Sequence, residues 1–353
     1  MSRHRQYTDK NVLDAAKERI HHAFDYFDKV VVSFSGGKDS LVVLHLTKEV
    51  IEERGGGKVH AVFLDEELIH QEVIDFVRGY MLEPWLDLHW WAVPLQSSMF
   101  TMGKIIDYVQ WDPGRDWMRP KPEWAMSAAD VGIPEGLIID QKESNIYTAE
   151  RFRGSVCIFT GIRSAESLRR YASCMRKLNE SWLVSSLTKK AMMGRPIFDW
   201  QENDVFRYFY DRELRYCPIY DNQIWEGVRL RVSSAIAPET AKSFERYRRW
   251  SPDVYERVVE LFPEMELQAR YYAEMDHEGI LAKYGESFDT VREWIMENID
   301  EGGVRDGALR ELDRCIISAR NSDGFPPLYV LRCIMGQQGK RTIMPKPFPG
   351  EVT

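Results

Sequence analysis

The hexapeptide Ser-Gly-Gly-Lys-Asp-Ser at residues 35–40 has the residue types and spacing needed to hold a phosphate group. It directly follows the apolar run of residues 30–34 and directly precedes a helix-like stretch that starts at residue 41. Two glycines let the backbone approach an oxyanion closely, and the following helix offers unpaired N–H groups and a positive dipole end. Lys38 adds a cationic donor. The pattern therefore predicts a strand, a loop that binds a nucleotide phosphate, and a helix.

The spacing of this turn differs from that of a Walker loop. The pattern G-x-x-x-x-G-K-[ST] is absent, and an aspartate rather than a hydroxyl residue follows Lys38. A short Ser-Gly-Gly turn with hydroxyl residues at both ends resembles the signature of the PP-loop ATP pyrophosphatases. The resemblance implies that the loop holds pyrophosphate as a leaving group while AMP passes to an acceptor. The alternative is a glycine-rich turn between a strand and a helix that binds nothing.

Strands and helices alternate along the first part of the chain, which predicts an α/β fold. Strands of this kind, separated by helices, favour a parallel twisted sheet with right-handed crossovers and helices on both faces. Ligands of such sheets bind at the carboxyl ends of the strands, where Ser35 and Asp65 lie. The predicted strands are residues 30–34, 59–64, 88–93 and 156–160, and the predicted helices are residues 13–27, 41–53 and 69–81.

The alternation is interrupted from about residue 95 to residue 153, which predicts an ordered insertion that borders the acceptor site. This stretch is rich in tryptophan, proline and charged residues. Trp111, Trp117 and Trp124 could stack on a base or sugar, as aromatic residues do in single-strand binders, or could simply pack on the main domain.

Three domains are predicted. Residues 1–28 form an N-terminal helix, residues 29–235 form the PP-loop domain with its insertion, and residues 236–353 form a mostly helical C-terminal region. Tyrosine, tryptophan and arginine are dense over residues 244–272, a composition enriched in protein interfaces. A helical subdomain that packs on itself is the alternative.

A second motif, Gly-Ile-Arg-Ser-Ala-Glu-Ser-Leu-Arg-Arg, occupies residues 161–170 after the last predicted strand. Gly161 allows close approach at the strand end, and Arg163 can fork onto phosphate oxygens. Glu166 lies close enough to orient that guanidinium or to bind a hydroxyl, although a surface ion pair between residues three apart is the alternative. This G-x-R-x-x-E-S-x-R-R segment resembles the second motif of the phosphoadenosine phosphosulfate (PAPS) reductase family.

A third segment, residues 195–206, is similar to the P-[LI]-x-D-W-x-x-x-D-V-W pattern of the same family, and residues 216–221 resemble its Y-N-P-L-Y turn. Asp199 is predicted to cap the helix over residues 202–210, and Trp200 is predicted to anchor the core. Together the three matches cover about residues 28–222.

The cysteines depart from the PAPS reductase pattern. The E-C-G-[LI]-H segment that carries the reductase nucleophile is absent, and no C-x-x-C pair occurs, so neither zinc nor an iron-sulfur cluster is expected. The nearer resemblance is to the divergent IbrA-like branch, which implies a ParB-like protein partner. The five dispersed thiols, expected to be reduced, are Cys157, Cys174, Cys217, Cys315 and Cys333.

Length and composition fit an enzyme with a sizeable core, since 44% of the 353 residues are hydrophobic. No apolar run is long enough for a membrane helix, and the N-terminus lacks the apolar region of a signal peptide, so a cytoplasmic location without membrane contact is expected. The net charge of -8 argues against broad capture of nucleic acid. Basic clusters at residues 169–177 and 246–249 leave local nucleic-acid contact open, with solvated helix faces as the alternative.

The first functional hypothesis is an ATP pyrophosphatase that uses ATP and Mg²⁺. Lys38, Asp39 and Arg163 would be catalytic, with Asp39 also a candidate magnesium ligand, and Asp65 would recognise ribose or adenine. The alternatives are a regulator that binds ATP or a sulfonucleotide without turnover, and a sulfonucleotide reductase that uses a partner's thiol. A sulfur donor, a tRNA or DNA base and a small acid all remain open as acceptors. The predicted nucleotide-binding residues are Ser33, Ser35, Gly36, Gly37, Lys38, Asp39, Ser40, Asp65, Gly161, Arg163 and Glu166.

Overall fold

The computed structural model describes residues 9–102, 104–174, 181–227, 230–238, 240–272, 277–299, 301–320 and 324–337. These residues fall into two compact units. The first is drawn from Met1–Gln96 and Val109–Ser234, and the second from Ser97–Tyr108 and Ala235–Thr353.

A six-stranded sheet forms the centre of the first unit. The chain first builds the sheet outwards in one direction from its first strand, and later strands extend it on the other side, so the sheet has a switch point beside that first strand. The strands are β1 (Lys29–Ser33), β2 (Val59–Leu64), β3 (Leu86–Trp91), β6 (Val156–Phe159), β7 (Leu183–Ser185) and β8 (Ala191–Gly194), in the order β3-β2-β1-β6-β8-β7, while β4 (Leu95–Thr101) and β5 (Lys104–Gln110) form a separate pair.

Neighbouring strands of this sheet run parallel, except that β7 is antiparallel to β8. The central residues of β1 and all four residues of β6 are buried, because a parallel sheet with helices on both faces hides both sides of its strands. The α/β fold class predicted from the sequence is confirmed, and the strand bounds differ from the predicted ones only at their ends.

Seven helices of the first unit are described. Asn11 caps the first of them, because its side-chain oxygen accepts a hydrogen bond of 2.9 Å from the N–H of Asp14. The helix after β1 buries nine of its residues, so it packs along most of its length. These helices are α1 (Val12–Tyr26), α2 (Lys38–Glu53), α3 (Gln71–Tyr80), α4 (Ser144–Glu150), α5 (Leu168–Cys174), α6 (Glu202–Asp211) and α7 (Ile219–Trp225).

The predicted cap of α6 is wrong. The N-cap is Gln201, whose N–H donates to Asp204 at 2.7 Å. Asp199 instead accepts two hydrogen bonds, of 2.8 and 2.6 Å, from the guanidinium of Arg19 on α1. Trp200 is confirmed as a core anchor, since it is 1% exposed. The segment thus fastens α1 to the sheet as well as starting α6.

The second unit is mainly helical among the residues described, as predicted. Its core includes Trp294, Leu312 and Leu331. The helices are α8 (Tyr247–Trp250), α9 (Pro252–Leu261), α10 (Glu264–Tyr271), α11 (His277–Tyr284), α12 (Phe288–Asn298), α13 (Gly303–Ala319) and α14 (Pro327–Gln337), preceded by a 3₁₀ helix over Ala241–Arg246.

Residues of β4 and of the turn after it, which group with the second unit, donate backbone N–H groups to other residues of that unit. The N–H of Phe100 donates to the carbonyl of Ile236 at 3.0 Å, and the N–H of Met102 donates to the side chain of Gln268 at 2.6 Å. Gln268 is itself buried. No helix in the described part of the chain combines the length and the hydropathy that a membrane span requires.

A half-buried histidine on α2 should make the stability of the first unit depend on pH. His45 Nε2 lies 2.9 Å from the hydroxyl of Tyr80, and burial lowers the pKa of His45 to about 4. Since this folded pKa lies below that of the unfolded chain, the neutral form stabilises the fold above about pH 6.5, and the contribution is lost as the pH falls towards 4. Between about pH 7 and about pH 4.5, urea unfolding should show wild type losing about 2 kcal/mol more than His45→Gln.

The matched control is His22→Gln, the same replacement at an exposed position of α1. It should lose as much stability as wild type over the same pH range. Equal losses for wild type and His45→Gln would contradict the assignment of this pH dependence to His45.

Candidate functional site

The predicted phosphate loop lies between β1 and α2, beside β6 at the switch point of the sheet. Gly36 has a φ of 73°, and a Cβ atom there would lie 2.7 Å from the side chain of Val77. Only glycine fits this position without strain. Ser33 ends β1, and Phe34 separates it from the loop.

Hydroxyl groups at the two ends of the loop hold its shape. The Oγ of Ser40 accepts a hydrogen bond of 3.2 Å from the N–H of Ser35 and donates one of 2.9 Å to the carbonyl of Gly37. The two serine hydroxyls lie 3.0 Å apart. The loop is therefore preformed, which is the condition for an oxyanion site that needs no rearrangement.

Lys38 begins α2 and is almost fully buried. Its Nζ lies 3.2 Å from Asp39 and 3.4 Å from Glu202 on α6. Its backbone N–H donates to the hydroxyl of Tyr220 at 2.8 Å. Burial raises the pKa of Tyr220, so the hydroxyl stays protonated. Sequence analysis missed this contact, although Tyr220 lies in the segment that resembles the family's Y-N-P-L-Y turn.

The second motif packs directly on this loop. A Cβ atom at Gly161 would lie 2.6 Å from backbone atoms of Asp39 and Ser40, so the two segments meet backbone to backbone. Arg163 is 3% exposed, and its Nε donates to Asp39 at 2.5 Å. The N–H of Arg163 donates to Glu166 at 3.0 Å. The structure thus brings the predicted residues of both motifs together.

Two buried cations share one carboxylate at the centre of this arrangement. Asp39 uses one oxygen for Arg163 and the other for Lys38. Desolvation makes an unpaired buried cation costly, so Asp39 serves as the internal counterion of the site. A phosphate group carries the charge and the oxygen geometry to take over that role.

Asp65 follows β2, as predicted, but its carboxylate is engaged by the protein. It is 2% exposed, accepts a hydrogen bond of 2.8 Å from the indole of Trp90, and pairs with Arg119. Burial raises its pKa, and the charge of Arg119 opposes that shift. The role of Asp65 in recognising ribose or adenine stays a prediction.

Glu67 is a structural residue that sequence analysis missed. Its side chain is fully buried and accepts hydrogen bonds from the backbone of Trp111 at 2.6 Å and of Met118 at 2.7 Å. Arg115 binds it through both terminal nitrogens, at 2.9 and 2.7 Å. The available signal was the acidic run at residues 65–67 directly after an apolar strand, where carboxylates are buried only with partners. Asp65 and Glu67 fasten the insertion to the end of β2.

The tryptophans of the insertion pack on their surroundings. Trp111 is almost fully buried, with the cationic groups of Arg119 and Lys121 at 4.9 and 5.5 Å from its ring centre. Trp117 meets Trp111 edge to face, and Trp124 is the more exposed ring, covered in part by Arg78. The arrangement favours the packing alternative for Trp111 over base stacking.

Three arginines of the basic clusters considered as nucleic-acid surfaces pair with acidic residues. Arg176 and Lys177 lie outside the described residues. The pairs are Arg170 with Glu166, Arg246 with Glu245, and Arg248 with Glu266.

Known proteins resemble this chain over much of its length. The family model for the phosphoadenosine phosphosulfate reductase domain matches residues 29–89 and 141–261, and so leaves out most of the insertion. Uncharacterized protein YbdN of Escherichia coli (strain K12) is 27% identical over 259 residues, which make up 69% of this chain and 63% of that relative.

Among solved structures, Candida glabrata FMN adenylyltransferase in complex with FAD and inorganic pyrophosphate has a TM-score of 0.39 and 14% identity, covering 59% of this chain and 58% of that one. The PAPS reductase from Candida auris, a phosphate complex, has a TM-score of 0.35 and 13% identity, covering 65% of this chain and 97% of that one. The chain thus spans less than two thirds of the length of both YbdN and the FMN adenylyltransferase.

Replacing Gly161 by alanine should disrupt the site. The added methyl group meets backbone at 2.6 Å rather than a flexible side chain, so the two motifs must move apart. Urea unfolding should show a loss of about 1–3 kcal/mol. Gly79→Ala is the control, because a Cβ there meets no atom within 4 Å and the position is helical; it should be neutral or slightly stabilising. Similar unfolding curves for the two variants would contradict the close approach.

Replacing Glu67 by glutamine should detach the insertion. The amide NH₂ would face groups that already donate, and the bidentate partner of Arg115 would lose its charge. We expect a loss of about 3 kcal/mol in urea unfolding. Glu52→Gln is the control, because Glu52 is exposed on α2 and lies 3.8 Å from Lys48; its loss should stay below about 0.5 kcal/mol. Equal stability of Glu67→Gln and wild type would refute the anchoring role.

Proposed function

This chain belongs to the phosphoadenosine phosphosulfate reductase domain family, and on that premise we propose that it cleaves ATP to AMP and pyrophosphate, transferring the adenylyl group to an acceptor. The observation that carries the proposal is the convergence of Lys38, Asp39 and Arg163 at a preformed glycine turn. A turn that bound nothing would have no need of two cations buried at a helix N-terminus.

In the proposed reaction the acceptor's nucleophilic atom bonds to the α-phosphorus, and the bond from that phosphorus to the bridging oxygen breaks. The electron pair leaves with pyrophosphate. The loop N–H groups of residues 36 and 37, with Lys38 and Arg163, would stabilise the charge that grows on this leaving group. Because both cations are held in place by Asp39 beforehand, they need not reorganise during the step.

Mg²⁺ would enter with the nucleotide and reduce the negative charge of its phosphates. Within the described ranges, no three histidine, cysteine or carboxylate side chains lie together in a way that holds a metal ion. We therefore propose that Asp39 contributes a single oxygen and that phosphates and water supply the other ligands.

The thiols bear on the sulfonucleotide reductase alternative. Cys157 and Cys217 are buried, and burial raises the pKa of each to about 12. Burial also raises the pKa of Cys333. Such thiols are poor nucleophiles at neutral pH. Sulfonucleotide reduction would therefore need a partner's thiol. We propose further that the chain belongs to the IbrA-like branch, acts with a ParB-like partner and is located in the cytoplasm.

Lys38→Ala should abolish the proposed activity. Removing a buried cation from the leaving-group site should lower pyrophosphate release from ATP and Mg²⁺ by about 100-fold or more. The measurement uses the purified full chain, with and without bulk nucleic acid, beside calorimetric titrations with ATP and PAPS. Lys48→Ala is the control, because Lys48 lies on the same helix with its Nζ 4.9 Å from the ring of Trp85; it should release pyrophosphate like wild type.

Unchanged pyrophosphate release by Lys38→Ala would refute the assignment. ATP binding by wild type without release would favour the regulatory alternative. Release of sulfite from PAPS with added thioredoxin would favour sulfonucleotide reduction.

A further inference from the structure

A short segment after α7, residues 230–234, lies against the phosphate loop, although none of the three sequence motifs includes it. A Cβ atom at Gly37 would lie 3.1 Å from the side chain of Val232. The N–H of Ser234 donates to Glu66 at 3.2 Å, beyond the end of β2. The segment is therefore held at the carboxyl edge of the sheet by two contacts, one with Gly37 of the loop and one with Glu66 after β2.

The residue before Val232 is held by a buried amide. The side chain of Gln223 is 2% exposed as part of α7. Its Nε2 donates to the carbonyl of Arg231 at 2.5 Å, and its Oε1 accepts from the N–H of Arg231 at 2.8 Å. One side chain thus satisfies both backbone groups of a single residue, which fixes the direction in which the Arg231 side chain leaves the backbone.

The guanidinium of Arg231 is the least engaged arginine head beside the loop. Its one ion pair within the described residues is to Glu166, at 3.9 Å, and it makes no hydrogen bond with them. Arg163 is bound to Asp39, and Arg170 to Glu166. The side chain of Arg231 is 28% exposed. It therefore combines a rigid backbone with donors that a ligand can reach.

Arg231 also lies close enough to the loop to affect Tyr220, whose hydroxyl accepts a hydrogen bond from the first N–H of α2. Burial raises the pKa of that hydroxyl, and the positive charge of Arg231 acts on it in the opposite direction. The ion pair with Glu166, at 3.9 Å and partly exposed to solvent, contributes little to the stability of the fold. That ion pair alone does not explain why the buried side chain of Gln223 binds both backbone groups of Arg231.

We infer that Arg231 is a further anion-binding residue of this site, donating to the phosphate oxygens of a nucleoside triphosphate held by the loop, with Gln223 as its positioning residue. The inference rests on the proposed function. It adds a third cation to Lys38 and Arg163. Arg231 belongs to neither motif, but the next residue, Val232, lies beside Gly37 of the loop. A planar fork suits phosphate oxygens better than a point charge does, so lysine should replace it only in part.

The test is calorimetric titration of the full chain with Mg-ATP and, separately, with inorganic pyrophosphate. Arg231→Gln should weaken Mg-ATP binding by about tenfold or more, and Arg231→Lys by less. Arg54→Gln is the matched control, because the Arg54 side chain is 35% exposed and pairs with Asp25 at 2.7 Å; its affinity should equal that of wild type. Circular dichroism checks that each variant is folded.

A double-mutant cycle tests the positioning role of Gln223. Gln223→Met should weaken Mg-ATP binding in the wild-type background and add nothing in the Arg231→Gln background, because both changes remove the same contact. A merely structural role for Gln223 would weaken binding equally in both backgrounds, and that result would overturn the positioning role.

The outcomes separate this inference from the proposed function. Wild-type binding of Mg-ATP together with an unchanged affinity of Arg231→Gln would overturn the inference alone. Equal losses for Arg231→Gln and Arg54→Gln would overturn it as well. If wild type binds neither Mg-ATP nor pyrophosphate, the proposed function fails, and the inference fails with it.

Discussion

The carboxylate of Asp39, shared between two buried cations, is the interaction on which the candidate site depends. It joins Lys38 to Arg163, which lies 124 residues after Asp39 along the chain. Burying a charge costs free energy unless partners compensate, and without Asp39 the buried Arg163 would lose its carboxylate partner and Lys38 would be left with Glu202, at 3.4 Å. The same carboxylate therefore holds the two motifs together and keeps their cations in position for an incoming anion.

The order of the strands makes that meeting possible. β1 lies between β2 and β6, so the loop after β1 and the motif after β6 emerge side by side at the carboxyl edge. The acids that follow β2 lie at the same edge, where they are used to fasten the insertion and the segment that ends at Ser234. One edge of the sheet thus carries a phosphate loop, its counterion and the anchors of the surrounding loops.

The sequence was sufficient for features whose cause is local. The apolar run before residue 35, the glycine turn and the helix after it have their own signals, and so does the arginine after β6. It was insufficient where the partner is distant. Asp199 has the residue type and position of a helix cap, yet Arg19 of α1 takes both of its oxygens. Glu67 and Tyr220 likewise owe their roles to partners that only the folded chain brings near, because the acidic run around Glu67 and the turn-like segment around Tyr220 do not identify those partners.

The pairing of β1 with β6 also has a consequence for synthesis of the protein. β1 is made early, but the strand that covers its second edge follows only after the whole insertion has been translated. At roughly 5–20 residues per second, that interval is on the order of ten seconds. During that time the nascent chain displays an unpaired, strongly apolar strand edge, which is the kind of surface that chaperones bind and that aggregates if they do not. The strand that later supports the phosphate loop thus keeps one edge unpaired while the ribosome is still at work.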